Sequence, residues 1–299
     1  MYSLVTACMN REEHLRRSIP VWLQLPRVEE IIVVDWSNPR PLMDLLELDP
    51  RVRVVRVEDE PRWVLSYAYN LGIAEAGHPW VFKCDADCLP CPEITRYYAP
   101  GSGHFFAGHW ESGGPLAKPS VNGQCLLTKE QFARINGYSE FIQTWGRDDE
   151  DLYERMEKSG FDRREIRPAF LDFIEHPKEA RMAQQMAPAA SGIGADAFTR
   201  TTMFQEMFNF HVSRRLPWGP DRSRAEYSIV KCGDRWKVVR RDKARELSLP
   251  SDIGADARLF AWRKLVSFRT KLSWEEAAVL DESTCLARLV ALSDRTAEG

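Results

Sequence analysis

The feature that most constrains the fold is an alternation of apolar and helical segments over the first ninety residues. Strands alternating with helices imply parallel βαβ units. Strands that are apolar along their whole length suit a sheet covered on both faces. We therefore predict an α/β fold with a largely parallel sheet. The segments with strand character are Ser3–Cys8, Glu30–Asp35, Val52–Val57 and Trp80–Cys84.

The pattern changes after Asp87 and again after residue 176. Further strands and helices are predicted between Asp87 and residue 176, and residues 1–176 are expected to form one domain. Residues 177–203 are rich in Ala, Met, Ser and Gly and are interpreted as a flexible segment or lid. Residues 204–299 are expected to form a smaller C-terminal region with a hairpin near Tyr227–Val239 followed by helices. The elements predicted between residues 124 and 174 are a strand at Gln124–Thr128, helices at Lys129–Ile135 and Asp148–Ser159, and a strand at Phe170–Ile174.

Composition excludes several classes of protein. The chain has 299 residues and a formal net charge of -3, which argues against a protein that coats nucleic acid. Neither a signal peptide nor an apolar run long enough for a transmembrane helix is recognised. The seven cysteines are an odd number and are expected to be reduced thiols. We expect a cytoplasmic location, with a peripheral position at a membrane left open.

The first group of candidate site residues is Asp85-Ala86-Asp87, directly after the fourth predicted strand. Ligands of an open α/β sheet bind beyond the carboxyl ends of its strands. Two carboxylates one residue apart can face one divalent ion, and their hard oxygen atoms suit Mg²⁺ or Mn²⁺ bridging to phosphates. The D-x-D pattern is also common by chance, and a second such triplet is present at Asp149-Glu150-Asp151. The position of Asp85-Ala86-Asp87 directly after a predicted strand nevertheless favours a donor site at Asp85 and Asp87.

The second group is Trp145-Gly146-Arg147 followed by four consecutive acidic residues. Acidic side chains stabilise a helix start, and this alone would explain part of the run. One carboxylate projecting from the helix start can also act as a general base toward an acceptor hydroxyl. Trp145 offers a flat surface for a sugar ring, although tryptophan also serves in core packing.

Both groups together resemble the GT-A glycosyltransferases. More narrowly, they are similar to the bacterial family 2 enzymes and to the β-1,4-galactosyltransferase and chondroitin-polymerase type. The resemblance spans roughly residues 2–176. The segments that carry it are SLVTACMNR at 3–11, VVDWSN at 33–38, NLGIAEA at 70–76, FKCDADC at 82–88, GQCLLTKEQFARINGYSE at 123–140 and WGRDDEDLYERM at 145–156.

The resemblance implies a GT-A, Rossmann-like fold with a mixed, mostly parallel sheet. It implies inverting transfer of a hexose or N-acetylhexosamine from a UDP-sugar to a hydroxyl of a glycan or other acceptor, with Mn²⁺ or Mg²⁺ as cofactor. A homo-oligomer is left open. The residues that it implies are Thr6, Ala7, Arg11 and Asp35 for the nucleotide, Asp85 for ribose and metal, Asp87 and His176 for the metal, Asp149 as the base, and Asp148 and Trp145 for sugars.

The sequence departs from this family at two places. Asp35 is followed by Trp36 where the family has a second acid, so part of the nucleotide contact differs. Asp148 stands where galactosyltransferases have Glu, and Arg147 stands where they have Gly. A side chain at Arg147 alters the sugar pocket, so UDP-galactose, UDP-N-acetylgalactosamine and UDP-glucose all remain candidate donors.

Four alternatives use other features of the chain. Cys84, Cys88 and Cys91 have the C-x₃-C-x₂-C spacing of a radical S-adenosylmethionine iron–sulfur site. The same thiols with His78, His104 or His109 could bind zinc. A nicotinamide-dependent Rossmann enzyme is disfavoured because no G-x-G-x-x-G follows the first strand. A non-catalytic nucleotide-sugar-binding module is disfavoured because Asp87 and Asp149 are both present.

The segment around His109-Trp110-Glu111, with Gly113 and Gly114, has two interpretations. In related enzymes a glycine- and aromatic-rich loop at this place closes over the donor. It is equally consistent with a turn that buries a tryptophan.

Overall fold

The computed structural model describes residues 1–46, 49–109, 119–175, 195–232, 235–241 and 248–297. Three sequence-based predictions fall wholly or partly outside these residues. They are the metal ligand His176, the loop that follows His109, and residues 177–194 of the expected flexible segment. Residues 195–203 of that segment form the start of a helix.

In the described residues nine strands form one sheet, in the order β10-β11-β3-β2-β1-β4-β7-β6-β8, and β5 pairs with β9 in a separate two-stranded sheet. The strands are β1 (Tyr2–Cys8), β2 (Val28–Trp36), β3 (Val52–Glu58), β4 (Trp80–Lys83), β5 (Cys88–Pro90), β6 (His104–Gly108), β7 (Cys125–Thr128), β8 (Asp162–Ile166), β9 (Leu171–Phe173), β10 (Tyr227–Cys232) and β11 (Arg235–Arg240).

The sheet is mixed and mostly parallel. Strands β3, β2, β1 and β4 run parallel to one another, whereas β7 is antiparallel to both β4 and β6. The predicted α/β class and mixed sheet are therefore confirmed. The α-helices are α1 (Glu12–Trp22), α2 (Leu65–Glu75), α3 (Ile94–Tyr97), α4 (Lys129–Arg134), α5 (Asp148–Lys158), α6 (Ala195–Arg215), α7 (Ser251–Thr270), α8 (Trp274–Ala278) and α9 (Glu282–Ala297).

Both faces of the central strands are buried, as their apolar sequences predict. Side chains of β1 and β2 alternate between two hydrophobic clusters, one that includes residues of α2 and one that includes residues of α1. Complete burial of one large apolar side chain contributes about 1.5–3 kcal/mol. Helix α2 approaches the sheet closely at Gly72, where an added Cβ would lie 2.7 Å from Val5 and 2.8 Å from Val34.

The chain divides into two compact units. The first comprises Met1–Glu140, Asp148–Pro177 and Trp218–Glu246, and contains the nine-stranded sheet with helix α5. The second comprises Phe141–Arg147, Lys178–Pro217 and Leu247–Gly299, and contains helices α6 to α9. The mainly helical C-terminal region is thus present.

The predicted hairpin is confirmed as β10 and β11, and it lies in the first unit. Strand β11 pairs in parallel with β3, and Lys237 Nζ lies 2.7 Å from Glu58 Oε2 beside this pairing. None of the described helices is both long and apolar enough to cross a membrane. The cytoplasmic location stays a prediction.

Candidate functional site

The candidate site lies at the carboxyl ends of the parallel strands in the first unit. In β1 and β2, Cys8 pairs with Asp35, and in β1 and β4, Val5 pairs with Lys83. Because these strands are parallel and in register, Thr6, Ala7, Asp35 and the residues after Lys83 end at the same edge of the sheet. This is the edge at which ligands of open α/β sheets bind.

Lys83 is a buried cation that contacts both acidic motifs. Its side chain is 1% exposed, and its Nζ lies 2.9 Å from Asp85 Oδ1 and 3.3 Å from Asp149 Oδ1. It also donates a 2.6 Å hydrogen bond to the carbonyl oxygen of Gly123. Burial acts to lower the pKa of Lys83, but the charges of Asp149 and Asp85 hold this pKa well above its usual value. Lys83 is therefore charged, and it brings the D-x-D motif and the acidic helix into one site.

Asp85 is fixed by several donors. Tyr69 Oη donates to Asp85 Oδ1 at 3.1 Å, and Gln124 Nε2 donates to Oδ2 at 3.1 Å. The Asp85 amide donates in turn to Gln124 Oε1 at 3.1 Å. An added Cβ on Gly123 would lie 2.2 Å from Asp85 Oδ2, so glycine at this position leaves room for the carboxylate. The side chain of Asp85 is still 32% exposed, which leaves it accessible to a ligand.

Asp87 is half-buried, and its backbone is hydrogen-bonded to Ile174. The amide of Ile174 donates to the carbonyl oxygen of Asp87 at 2.8 Å, in continuation of the pairing between β5 and β9. His176 follows two residues later in the sequence but lies outside the described part of the chain. Among the described residues, no group of three or more His, Cys, Asp or Glu side chains is placed to hold a metal ion. The predicted ligand set of Asp85, Asp87 and His176 therefore stays a prediction.

Asp149 lies in the first turn of α5 with its side chain 12% exposed. Tyr138 Oη donates to Asp149 Oδ1 at 2.8 Å, and Lys83 contacts the same oxygen. Burial raises the pKa of Asp149 to about 6, although the charge of Lys83 acts to lower it. Asp148 is half-buried, and its Oδ1 accepts the Asp149 amide at 3.0 Å. A carboxylate with a raised pKa, held by fixed donors, is suited to take a proton near neutral pH.

The residues predicted to line the nucleotide pocket differ in their surroundings. Thr6 is fully buried, and within the described part of the chain its Oγ1 has no hydrogen-bond partner. Ala7 is 6% exposed, and Arg11 is half-buried at the start of α1. A buried hydroxyl without a partner is unusual and is consistent with a ligand that supplies one.

Asp35 is fully buried and bonded to protein groups. Its Oδ1 lies 2.8 Å from Arg56 Nη1 and accepts a 2.6 Å hydrogen bond from Asn38 Nδ2, while Oδ2 accepts the Leu42 amide at 3.0 Å. Asn38 Nδ2 also donates to the Cys8 carbonyl oxygen at 2.9 Å, which links the ends of β1 and β2. Contact of Asp35 with uracil or ribose would require the exchange of one of these partners, and it stays a prediction.

Trp145 belongs to the second unit, in the short segment Phe141–Arg147. This segment contacts α6 within that unit. Asn209 Nδ2 donates to the carbonyl oxygen of Trp145 at 3.1 Å, and Thr144 Oγ1 lies 3.1 Å from Asn209 Oδ1. The sequence had indicated no role for Asn209.

Two cysteines of the alternative iron–sulfur site lie in the protein interior. Cys84 and Cys88 are fully buried, and burial raises the pKa of both thiols. All six cysteines whose side chains are described are free. No group of three or more His, Cys, Asp or Glu side chains in the described part of the chain, which includes these thiols, is placed to hold a metal ion, so the iron–sulfur and zinc alternatives gain no support.

Comparison with protein families adds two matches. Residues 3–96 match the model of glycosyl transferase family 2, and residues 105–181 match the model described as the N-terminal domain of galactosyltransferase. The first match includes Asp85 and Asp87, and the second includes the acidic run at residues 148–151. The resemblance to GT-A glycosyltransferases is confirmed. The matched residues thus extend from β1 to β9 and include helix α5.

The curated proteins to which this chain is similar are β-1,4-galactosyltransferases. Human β-1,4-galactosyltransferase 7 is 28% identical over 138 residues, which are 45% of this chain and 42% of the human protein. The mouse protein is 30% identical over the same shares. Bovine β-1,4-galactosyltransferase 1 is 24% identical over 161 residues, 52% of this chain and 36% of that protein. The chain thus spans less than half the length of these relatives.

Solved structures give a weaker similarity. The Drosophila β-1,4-galactosyltransferase 7 mutant in complex with manganese, UDP-Gal and xylobiose is 18% identical, with a TM-score of 0.49 over 80% of this chain and 92% of that one. Mycobacterium tuberculosis glucosyl-3-phosphoglycerate synthase, in complex with Mn²⁺, UDP and its product, has a TM-score of 0.45 at 14% identity over 77% of this chain and 84% of that one. Because both scores lie below 0.5, the fold is assigned from the sheet topology.

Proposed function

We propose that this protein is a metal-dependent glycosyltransferase that moves a hexose or N-acetylhexosamine from a UDP-sugar to an acceptor hydroxyl. The observation that carries the proposal is the contact of one buried cation, Lys83, with both Asp85 and Asp149. A donor site and a general base must lie within one substrate length of each other for transfer to occur. A common partner for these two carboxylates satisfies that requirement.

The charge of the site suits a divalent cation. Asp85, Asp87, Asp149 and their acidic neighbours on α5 outnumber Lys83, so a bare diphosphate would be repelled. Mn²⁺ or Mg²⁺ is commonly bound by one or two carboxylates together with substrate phosphates. Asp85 and Asp87 would hold the ion, with His176 as a further ligand. When bound, the metal would offset the negative charge that develops on the departing diphosphate.

Asp149 is proposed as the base that takes the proton of the acceptor hydroxyl. Its pKa of about 6 leaves it ionised at neutral pH, and Tyr138 fixes one of its oxygen atoms. Attack on the side of the sugar opposite the nucleotide would invert its configuration. Asp148 and Trp145 are proposed to contact sugar hydroxyls and a sugar ring.

Thr6, Ala7, Arg11 and Asp35 are proposed to form the nucleotide pocket, because they occupy the ends of β1 and β2 beside the D-x-D motif. The curated relatives are galactosyltransferases, so UDP-galactose is the donor to test first, followed by UDP-N-acetylgalactosamine and UDP-glucose. A glycan hydroxyl is the acceptor class that the same relatives favour.

The proposal is tested by thermal unfolding of the whole chain with UDP, GDP and these three sugars, each with and without Mn²⁺. Ligand binding to the folded state at about 100 times Kd adds about 2.7 kcal/mol to the free energy of unfolding. That corresponds to a rise in Tm of roughly 4 °C for a protein of this size. We expect this rise with UDP and a UDP-sugar only when Mn²⁺ is present.

The matched variants are Asp87→Ala, at the proposed metal ligand, and Asp162→Ala, which removes an exposed aspartate from β8. Asp87→Ala should lose the Mn²⁺-dependent rise, and Asp162→Ala should keep it. Equal Mn²⁺-dependent stabilisation by UDP in both variants would contradict the metal assignment. A folded wild-type chain that responds to no nucleotide would contradict the whole proposal.

A further inference from the structure

The second unit contains a stretch of the chain that has basic residues and no acidic ones. Residues 257–274 include neither Asp nor Glu, and the stretch covers most of helix α7 and the first residue of α8. Its basic residues are Arg258, Arg263, Lys264, Arg269 and Lys271. The positive charge of this stretch is therefore not neutralised within the stretch itself.

The acidic residues at its two ends offset little of this charge. Asp256 Oδ2 lies 3.7 Å from Arg215 Nη2, so it faces a cation outside the stretch. Glu276 Oε2 accepts the Ser273 amide at 2.8 Å in the capping box that begins α8. Glu275 is exposed and subtracts one charge. The surface around the end of α7 thus remains positive.

Basic and aromatic side chains share one stripe of α7. Phe260, Lys264, Phe268 and Lys271 are separated by four, four and three residues, which places them on the same side of a helix. Elsewhere around α7, Leu265 and Val266 are buried against Cys285 and Leu289 of α9. The ring of Phe268, by contrast, is 69% exposed. This stripe therefore continues onto the surface of the protein.

Trp274, at the start of α8, extends the stripe. Lys264 Nζ lies 4.0 Å from the centroid of the Trp274 ring, and the Phe260 ring centroid lies 5.7 Å from that centroid. Trp274 is itself 36% exposed. We call the surface formed by Phe260, Lys264, Phe268, Lys271 and Trp274 the basic aromatic face.

The chemistry of the basic aromatic face matches an anionic membrane better than it matches a protein. Exposed aromatic rings together with lysines are typical of helices that lie in the interfacial region of a bilayer. Lysine is depleted in protein interfaces, and a symmetric contact between two copies of this chain would bring the same positive charges together. Phospholipid phosphates would instead pair with the lysines, while acyl chains cover the rings.

We propose that the basic aromatic face binds the surface of a bilayer that contains anionic phospholipid. Phe268 and Trp274 enter the boundary between headgroups and acyl chains, and Lys264 and Lys271 extend to the phosphates. Such attachment at the surface needs no helix that spans the bilayer. The inference concerns the second unit alone and does not depend on the proposed glycosyltransferase function.

The test is cosedimentation of the whole chain with sucrose-loaded vesicles. One set contains equal amounts of phosphatidylglycerol and phosphatidylcholine, and the other contains phosphatidylcholine alone. At about 0.1 M salt we expect the anionic vesicles to bind about 10- to 30-fold more tightly, which is a factor of about five for each of the two lysines. At about 1 M salt, where charges are screened within about 3 Å, most of this difference should disappear. No binding to anionic vesicles, or equal binding to both sets, would overturn the proposal.

Two variants separate the contribution of the charges from that of the rings. Lys264→Gln/Lys271→Gln should lower the binding constant for anionic vesicles about 10- to 30-fold. Phe268→Ser should lower it about tenfold, because that ring leaves water on binding. Most of the Phe268 ring is already exposed, so Phe268→Ser should fold even if the lysine variant does not, and thermal unfolding checks this. Binding like wild type in a folded Phe268→Ser variant would overturn the proposal.

Matched controls come from the first unit. Arg96→Gln/Lys158→Gln removes two exposed positive charges, and Tyr97→Ser removes an aromatic side chain that is 70% exposed. Both controls should bind anionic vesicles like wild type. An equal loss in the controls would mean that net charge or general exposure of rings causes the binding, and it would overturn the assignment to this face. A dimer that Phe268→Ser dissociates in sedimentation velocity without lipid would also overturn it, because a second copy would then cover the face.

Discussion

At the scale of single residues, Lys83 was the decisive omission from the sequence-based site. A lysine within the apolar run Trp80–Cys84 was visible as an anomaly, and in a strand it shares a face with Asp85 two residues later. Its second partner, Asp149, lies 66 positions away in the sequence, and no local pattern indicates that contact. The acids themselves were found because their spacing relative to predicted elements is a local property. The pairing between them became visible only in three dimensions.

The residue-scale prediction concerns Asp149. We expect Asp149→Asn to keep Mn²⁺-dependent UDP binding while lowering kcat about 10²- to 10⁴-fold, since removal of a general base typically has that effect. Binding is measured by calorimetry and turnover by release of UDP. Glu157→Gln, which neutralises an exposed acid of the same helix, is the control and should be unaffected. Turnover close to wild type in Asp149→Asn would mean that another group accepts the proton.

Arg147 stands where the resembling family has glycine, and the backbone conformation at this residue bears on that difference. Galactosyltransferases resemble this chain around residues 145–156 but have glycine at this position. The φ of +72° shows why glycine suits it, because this is the left-handed region that L-residues avoid. The ring of Phe210, whose centroid lies 5.0 Å from the Arg147 guanidinium, offsets part of this strain and lies in a part of the sequence that carries no recognisable motif.

At the scale of elements, most of the strands that the sequence predicted lie in the buried centre of the sheet, whereas the predicted hairpin β10–β11 lies at its edge. β1 to β4 and β7 are apolar along most of their length, so their pattern is strong. β8 was missed because its sequence, DRREI, is mostly charged; it lies at the edge of the sheet, where one side faces solvent. The sequence also predicts a short helix at Pro41–Leu48, whereas the described residues of this segment form only a short 3₁₀ turn at Leu42–Asp44. Weak periodicity over eight residues did not distinguish the two.

The element-scale prediction concerns Glu140, which joins three elements of the first unit. It is 1% exposed, accepts hydrogen bonds from Asn70 Nδ2 on α2 at 3.0 Å and from the Ala225 amide before β10 at 2.7 Å, and lies beyond the end of α4. Burial raises its pKa to about 7. Because the folded-state pKa lies above the unfolded value of about 4.3, the folded state binds the proton more tightly. Stability from this group therefore increases as the pH falls from 7 toward 4.3.

The measurement is urea unfolding at pH 8 and pH 5.5. Relative to Glu140→Gln, wild type should gain about 2 kcal/mol in the free energy of unfolding between these two pH values. Because the change in the free energy of unfolding between the two pH values is compared in wild type and in Glu140→Gln, the contribution of all other titrating groups cancels. Glu226→Gln, at the exposed residue that follows Ala225, should show the wild-type pH dependence. An identical pH dependence in wild type and Glu140→Gln would show that Glu140 titrates normally.

At the scale of the whole molecule, the two units do not follow the order of the sequence. The hairpin β10–β11 and the segment before it belong to the first unit. Asn136 Nδ2 donates to the carbonyl oxygens of Gly219 at 2.9 Å and Arg222 at 2.8 Å, and Trp218 Nε1 donates to the Asn136 carbonyl oxygen at 2.8 Å. The sequence indicated a boundary at residue 176 because the composition changes there to a stretch rich in Ala, Met, Ser and Gly. Composition follows the order of the sequence, whereas a compact unit is defined by contacts.

The corresponding prediction is that residues 1–177 alone are not an independent folding unit. Such a fragment loses the hairpin and exposes the edge of β3, an otherwise central parallel strand. We expect it to aggregate or to unfold without a cooperative transition in circular dichroism, under conditions in which the full chain unfolds cooperatively. Cooperative unfolding of the fragment near the Tm of the full chain would show that the later strands are dispensable.

The contact between Asn209 and the turn at Thr144–Gly146 also has a consequence for synthesis of the chain. The bonded residues are 63 to 65 positions apart. At translation rates of about 5–20 residues per second, the turn is synthesised roughly 3–13 s before its partner. At the end of that interval the acidic helix has already been synthesised, but the turn that precedes it lacks its fixing contacts. A growing chain would therefore carry both acidic motifs well before the turn at Thr144–Gly146 gains its last contacts.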